Sequence, residues 1–86
     1  MSKYLELWTR ESGSAQRVET VTTGTTAVTY IATAPIGSDP ANPSWQIKKI
    51  VEDTSVAGTV TTNVYWPTGS DEYRFVWDLR STYDYL

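Results

Sequence analysis

The chain has 86 residues, a formal net charge of −3, four Trp and six Tyr, and neither Cys nor His. This length predicts one domain, and the missing residue types exclude disulfides, Ser–His or Cys catalysis and an ordinary zinc site. An acidic chain without a basic stripe argues against nucleic-acid binding. The sequence shows neither an apolar run of membrane-spanning length nor a signal-peptide pattern, so we expect a soluble protein with no membrane partner.

The first element is ambiguous. Tyr4, Leu5, Leu7 and Trp8 lie on one helical face, yet the same stretch also alternates as a strand does. Gly13 then marks a break. We interpret residues 1–14 as an N-terminal arm or short flanking strand, and residues 15–86 as a single β-domain.

A β-hairpin is predicted next. Residues 16–23 alternate weakly, Gly24 provides a turn, and residues 26–34 form the clearest strand pattern in the chain. Residues 35–44 contain three prolines and a glycine, which predicts a loop. A loop of this length in so small a domain is typical of a functional or partner-contacting segment.

The second half of the chain predicts further strands. Trp45 to Val51 alternates with a mismatch at Lys48-Lys49, which indicates a β-bulge or a strand end at that point. Residues 59–66 alternate well, and a turn follows at residues 67–71. A strand is then predicted up to Val76, followed by a turn or short helix over residues 77–80, with a helical stripe from Tyr73 as the alternative. The tail, residues 81–86, is predicted to add a short edge strand.

The residue types favour the same fold class. Thr, Val and Ile, which are stiff at χ1 and suit pleated sheets, number 26. The predicted fold is therefore all-β, a small antiparallel sandwich or barrel of about five to six strands with the N-terminal arm. Trp45, Trp66 and Trp77 are predicted to fill its core.

Catalytic arrangements are weak in this sequence. A Ser–Lys pair such as Ser44 with Lys48 belongs to no motif, and the acidic pairs Glu52-Asp53 and Asp71-Glu72 are adjacent residues in predicted turns. Neighbouring strand residues point to opposite faces, so neither acidic pair suits glycoside hydrolysis. We predict no enzyme activity, no catalytic or metal-binding residues and no cofactor.

Two other sets of side chains are candidates for a binding role and for a structural role. Tyr65, Trp66, Tyr73 and Trp77 offer aromatic faces for stacking on a sugar ring, which makes a carbohydrate-binding module the alternative function. Charged residues near the C-terminus are candidates for a structural ion pair, in which Asp78 and Arg80 pair with each other or with Arg74 and Asp84.

Three stretches carry a family resemblance: Thr29-Tyr30-Ile31-Ala32-Thr33-Ala34-Pro35-Ile36-Gly37-Ser38, Trp45-Gln46-Ile47-Lys48-Lys49-Ile50, and Phe75-Val76-Trp77-Asp78-Leu79-Arg80-Ser81-Thr82-Tyr83. In order and spacing they resemble short structural proteins of tailed-bacteriophage particles, with a Trp-x-Ile-x-Lys/Arg-Ile strand and a closing Trp-Asp-x-Arg-x-Ser segment. The resemblance covers about residues 21–83. Ala32 stands where that group usually has Gly, and the N-terminal arm has no counterpart.

The resemblance implies a virion structural protein, made in the host cytoplasm, that acts as a capsid decoration, neck or tail subunit. Its partners would be other virion proteins and copies of itself, with a glycan as the alternative ligand at a host-facing tail or fibre tip. A chain this short buries a small core, so oligomeric support is expected. The predicted contact residues are Tyr4, Trp8, Pro35, Pro40, Pro43, Tyr83 and Tyr85.

Overall fold

A computed structural model describes residues 14–86 of the chain. The elements in chain order are β1 (Ser14–Thr23), β2 (Thr26–Pro35), β3 (Pro43–Asp53), β4 (Thr61–Tyr65), β5 (Phe75–Val76) and a 3₁₀-helix (Trp77–Thr82). The five antiparallel strands form one open sheet in which β1, β2, β3 and β4 are neighbours in that order, and β5 pairs with the other end of β3. The predicted all-β class is confirmed.

The β1–β2 hairpin has the predicted position and a two-residue turn. Gly24 has φ of 59°, the left-handed conformation that a tight hairpin turn needs at this position. The pairing then runs without interruption from Thr23 opposite Thr26 to Ser14 opposite Pro35. Ser14 therefore already belongs to the sheet, one residue before the predicted start of the domain.

One face of the sheet, which we call the core face, carries the hydrophobic core. Tyr30, Ala32 and Ala34 of β2 point to it, and the register places Ile47 of β3 beside Ala32. The buried residues of the cluster are Ala32, Ala34, Trp45, Ile47, Phe75 and Trp77. Small alanines at the sheet surface leave room for large rings above them, as close packing requires.

Strand β3 has neither the predicted bulge nor the alternative strand end at Lys48-Lys49. Its register with β2 is continuous from Gln46 to Asp53, and the irregularity lies instead between Pro43 and Trp45, where β5 pairs. The pattern misled because Lys49 points to the core face, where its ammonium group lies 5.3 Å from the ring centre of Tyr85. An aromatic ring accommodates a lysine there without a change of register.

The C-terminal segment, residues 75–86, supplies the second layer of the domain. The predicted change from strand to short helix is confirmed, since β5 ends at Val76 and the 3₁₀-helix begins at Trp77. The tail then returns to the sheet edge, where Leu86 and Trp66 exchange backbone hydrogen bonds of 2.9 and 3.1 Å. Within residues 14–86, rings of this segment therefore cover the core face in place of a second sheet.

The other face of the sheet, which we call the open face, points away from this layer. No helix or second sheet from the described part of the chain packs on it. The part formed by residues 14–86 is accordingly a plate, with principal extents of 42 × 34 × 17 Å. Its thin dimension is close to that of one sheet plus one covering layer.

Candidate interaction surfaces

Arg80 joins the C-terminal segment to the first strand. Its Nε and Nη2 donate to the two carboxylate oxygens of Glu19 at 2.9 and 2.8 Å, and its Nη1 donates to the carbonyl of Trp77 at 3.0 Å. The guanidinium also lies 4.4 Å from the centre of the Trp77 ring. A planar fork that pairs with a carboxylate and stacks on a ring is a geometry that Arg provides and Lys does not.

The electrostatics of this pair follow from its hydrogen bonds. The bonds from Arg80 lower the pKa of Glu19 below its ordinary value of 4.5, and the carboxylate in turn raises the pKa of Arg80. Both groups are therefore charged at neutral pH. The geometry of the pair indicates a role in holding the helix against β1.

The predicted ion pairs of Asp78 and Arg80, with each other or with Arg74 and Asp84, are not found among the described residues. Asp78 is exposed, and its backbone N–H donates to the carbonyl of Pro40 at 3.1 Å. Arg74 forms an exposed pair with Glu72 at 2.6 Å. In a 3₁₀-helix, residues two apart point about 120° away from each other around the axis, so Asp78 does not share the direction of Arg80. The partner that is found, Glu19, is 61 residues away along the chain.

Tyr83 and Tyr85, predicted as contact residues, are half-buried and turned inward. The hydroxyl of Tyr83 accepts a hydrogen bond from the Val76 N–H at 2.8 Å, and the hydroxyl of Tyr85 donates to the Arg80 carbonyl at 2.8 Å. Burial raises the pKa of Tyr85 above its ordinary value. Both phenols thus complete the hydrogen bonding of the layer over the core face.

The proline-rich loop is internally braced. The Asp39 carboxylate accepts the Ala41 N–H at 3.0 Å, the Asn42 side chain accepts the Asp39 N–H at 2.9 Å, and the Trp45 indole donates to the Asp39 carbonyl at 3.0 Å. Pro35 and Pro43 are exposed at the two ends of this loop, and Pro40 is half-buried. Tyr4 and Trp8, the remaining predicted contacts, lie outside the described residues.

The four aromatic residues considered for sugar stacking are not brought together on one exposed surface. Trp77 is only 6% exposed and belongs to the core, where Trp45 is its neighbour. Trp66, predicted for the core, is half-buried instead, with the Lys48 ammonium 5.9 Å from its ring centre. Tyr73 is exposed, so a platform of all four rings does not form.

The acidic pairs are also separated. The register of β3 places Glu52 and Asp53 on opposite faces of the sheet. The Asp53 carboxylate accepts the Ser55 N–H at 2.8 Å, which lowers the pKa of Asp53 and starts the loop after β3. Glu72 is occupied by Arg74. Among residues 14–86 there is no cluster of three Asp or Glu side chains placed to hold a metal ion.

Surface depressions near these groups are shallow. One of about 280 Å³ lies on the core face beside the helix, between Glu19, Val28 and Ser81. Another of about 320 Å³ lies at the Ser14 end of the hairpin, beside Thr33 and Tyr73. Both are open to solvent, and their linings are mostly hydroxyl and aliphatic side chains. No helix within the described range is long and apolar enough to cross a lipid bilayer.

The open face was not predicted from the sequence as a contact surface. It displays four large aliphatic side chains in adjacent strands: Val18, Ile31, Ile50 and Val64. Val18 and Val64 are 42% and 51% exposed. The alternation of residues in β2 did place Ile31 opposite Tyr30, but alternation cannot say which of two apolar faces will be covered.

Comparison of the chain with protein-family models, with curated proteins and with solved structures gives no match.

Proposed function

We propose that this protein is a structural subunit of a tailed-bacteriophage particle and acts through protein–protein contacts. It is made in the host cytoplasm and joins other virion proteins and further copies of itself. The observation that carries the proposal is the contrast between the inward-directed polar groups and the outward surfaces. The bonded groups of Arg80, Tyr83 and Tyr85 hold the chain's own layers together, whereas the outward surfaces are flat and bear aliphatic side chains.

The edges of the sheet support this function. The outer edge of β1, ten residues long, pairs with no other strand of residues 14–86, and β4 is the edge on the other side. An unpaired edge offers a row of backbone N–H and C=O groups to which a neighbouring chain adds a strand. Strand addition at such an edge suits a particle subunit, because main-chain hydrogen bonds provide affinity without a deep site.

The small size of the core also supports a role as a particle subunit. The fully covered cluster consists of six residues on one face of a thin plate. Domains of this length bury only about 60% of the surface of the unfolded chain, so association with neighbours adds needed stability. A particle that repeats the subunit many times supplies such neighbours. The motif resemblance described above points to the same kind of assembly.

The direct test is mass spectrometry of purified particles from a host that carries the gene. We expect this chain in gradient-banded particles, at a fixed molar ratio to the major capsid protein. Deletion of the gene should remove the chain and leave particles that are defective or less stable, and supply of the gene in trans should restore them. Absence of the chain from every banded preparation that contains the major capsid protein would refute the proposal.

A glycan array separates this function from the carbohydrate alternative. Wild type and the variant Trp66→Ala are labelled and compared, because Trp66 is the least buried of the three described tryptophans. We expect no glycan signal from either protein. Specific binding by wild type that is lost in the variant would replace the structural role with sugar recognition.

A further inference from the structure

The open face has a definite arrangement of side chains. Cross-strand partners form rows, and the middle row contains Thr20, Thr29, Ile50 and Val64. The two hydroxyls in this row are hydrogen-bonded to each other at 2.9 Å, which reduces the cost of covering them. The row is therefore an apolar strip that runs across all four long strands.

The rows on either side of this strip differ in charge and in size. On one side Ile31 lies beside Lys48, and on the other side Ala27 lies beside Glu52. Lys48 and Glu52 each stand two residues from Ile50 on β3. The face thus has a cation and a large side chain on one side of the strip, and an anion and a small side chain on the other.

We infer that a second copy of this chain packs on the open face about a two-fold axis that runs along the middle row. This inference rests on the proposed function, since it names a second copy as a partner of the subunit. The operation reverses the strand direction in the second copy. It places Lys48 opposite Glu52 of the second copy, and Ile31 opposite its Ala27, twice in each dimer.

The geometry of stacked sheets allows these contacts. Sheets pack about 10 Å apart with their strands about 30° from parallel. Lys48 and Glu52 lie about 7 Å from the axis at about 3.4 Å per residue, so the crossing angle offsets them by roughly 4 Å. Long Lys and Glu side chains span that offset. Contact of Ile31 with Ala27 combines a large residue with a small one, as interdigitating layers require.

The alternative axis, parallel to the strands, is disfavoured by the same residues. It keeps each row opposite itself, so that Lys48 would cover Ile31 of the second copy and Glu52 would cover its Ala27. Each charge would then be buried against an aliphatic side chain without an opposite charge. Charge complementarity therefore selects the axis along the middle row.

The extent of the face sets the strength of the contact. Seven residues by four strands outline roughly 450 Å² per copy, from a rise of about 3.4 Å and a strand spacing of about 4.8 Å. Stable complexes usually bury about 800 Å² per partner, so this dimer belongs to the weak class. We expect the dissociation constant to lie in the micromolar range. The high local concentration of subunits in a particle is sufficient to populate such a dimer.

The test is sedimentation equilibrium of the full-length chain at about 10 to 500 μM, a range that brackets the affinity expected of a small interface. Wild type should show a monomer–dimer equilibrium. Lys48→Glu and Glu52→Lys should each raise the dissociation constant at least tenfold, since each places like charges together twice. An equimolar mixture of the two variants should restore association, because the mixed dimer contains two opposite-charge contacts.

Arg17→Glu is the matched control. Arg17 is an exposed residue on the core face, and its reversal changes the net charge by the same amount as Lys48→Glu. Association should stay at the wild-type level in this control. Circular dichroism and urea unfolding establish that each variant is folded, and Glu52→Lys tests the register by itself if Lys48→Glu is unstable through loss of its contact with Trp66.

Three results would overturn the inference. The first is a chain that remains monomeric at the highest concentration. In that case residues 1–13, with Leu5, Leu7 and Trp8, would be the segment to examine on this face. A dimer that is insensitive to both reversals would exclude the proposed register. A mixture no more associated than its components would exclude the pairing of Lys48 with Glu52. None of these results bears on whether the chain is found in particles, which mass spectrometry decides separately.

Discussion

The pair between Arg80 and Glu19 gives the sharpest quantitative prediction, because the same chain contains an exposed pair for comparison. The side chains of Arg80 and Glu19 are 22% and 39% exposed and share two hydrogen bonds, whereas those of Arg74 and Glu72 are 54% and 65% exposed and share one. Glu19→Gln, Arg80→Met and the double variant form one double-mutant cycle. Glu72→Gln and Arg74→Met form the control cycle.

The expected coupling energies differ between the two cycles. Exposed ion pairs contribute about 0–1 kcal/mol, whereas charge-assisted hydrogen bonds are roughly twice as strong as neutral ones and a bidentate pair makes two of them. Since Glu19 is partly solvated, we expect a coupling of about 1–1.5 kcal/mol for Arg80 with Glu19, and of at most about 0.3 kcal/mol for the control. Arg80→Met should also lose the bond to the Trp77 carbonyl, so this variant should be the less stable of the two single variants.

Urea unfolding followed by tryptophan fluorescence measures both cycles. For a domain of this size, a loss of 1 kcal/mol corresponds to a fall in Tm of about 4–8 °C, so thermal unfolding provides an independent check. Coupling energies that are equal in the two cycles would refute the view that Arg80 holds the C-terminal segment against β1. A coupling near zero for Arg80 with Glu19 would have the same consequence.

Three further predictions concern the stability of the domain, and each is measured by urea unfolding. Ala32→Leu should destabilise by about 1–3 kcal/mol because Ala32 is fully buried under aromatic rings, whereas Ala27→Leu on the open face should change stability by under about 0.5 kcal/mol. Tyr83→Phe should cost about 1–2 kcal/mol, since it leaves the Val76 N–H without its acceptor. The lowered pKa of Glu19 means that its contribution to stability is present above pH 4.5 and is lost as the pH falls below it, so Glu19→Gln should be less sensitive to acid than wild type. Equal losses for the two alanine variants, an unchanged Tyr83→Phe, or parallel pH curves would contradict these expectations.

Local pattern predicted much of the fold. Alternation of apolar and polar residues located the long strands, and Gly24 and the proline-rich stretch located the connections, because these signals act over a few residues. The change from strand to helix at Trp77 was predicted for the same reason. The pattern failed at Lys48-Lys49, where a lysine on the core face resembled a bulge or a strand end although its ammonium group lies over the ring of Tyr85.

Contacts between distant residues were decided only by the tertiary structure. The sequence identified Arg80 as a structural arginine, but its partner lies on β1, and no local rule connects positions 61 residues apart. Tyr83 and Tyr85 were predicted as contact residues because they lie near a chain end. The return of the tail to Trp66 instead turns both hydroxyls inward. Pairing across the sheet creates these neighbours, and pairing is a property of the whole fold.

The composition and alternation of this sequence by themselves determined an all-β domain with aliphatic residues on both sides of its central strands. Which side is covered was decided by where the C-terminal segment folds back, because both faces carry enough apolar surface to serve as a core. That choice buries Ala32 and Ile47 and leaves Ile31 and Ile50 on the open face, where a neighbouring copy can reach them.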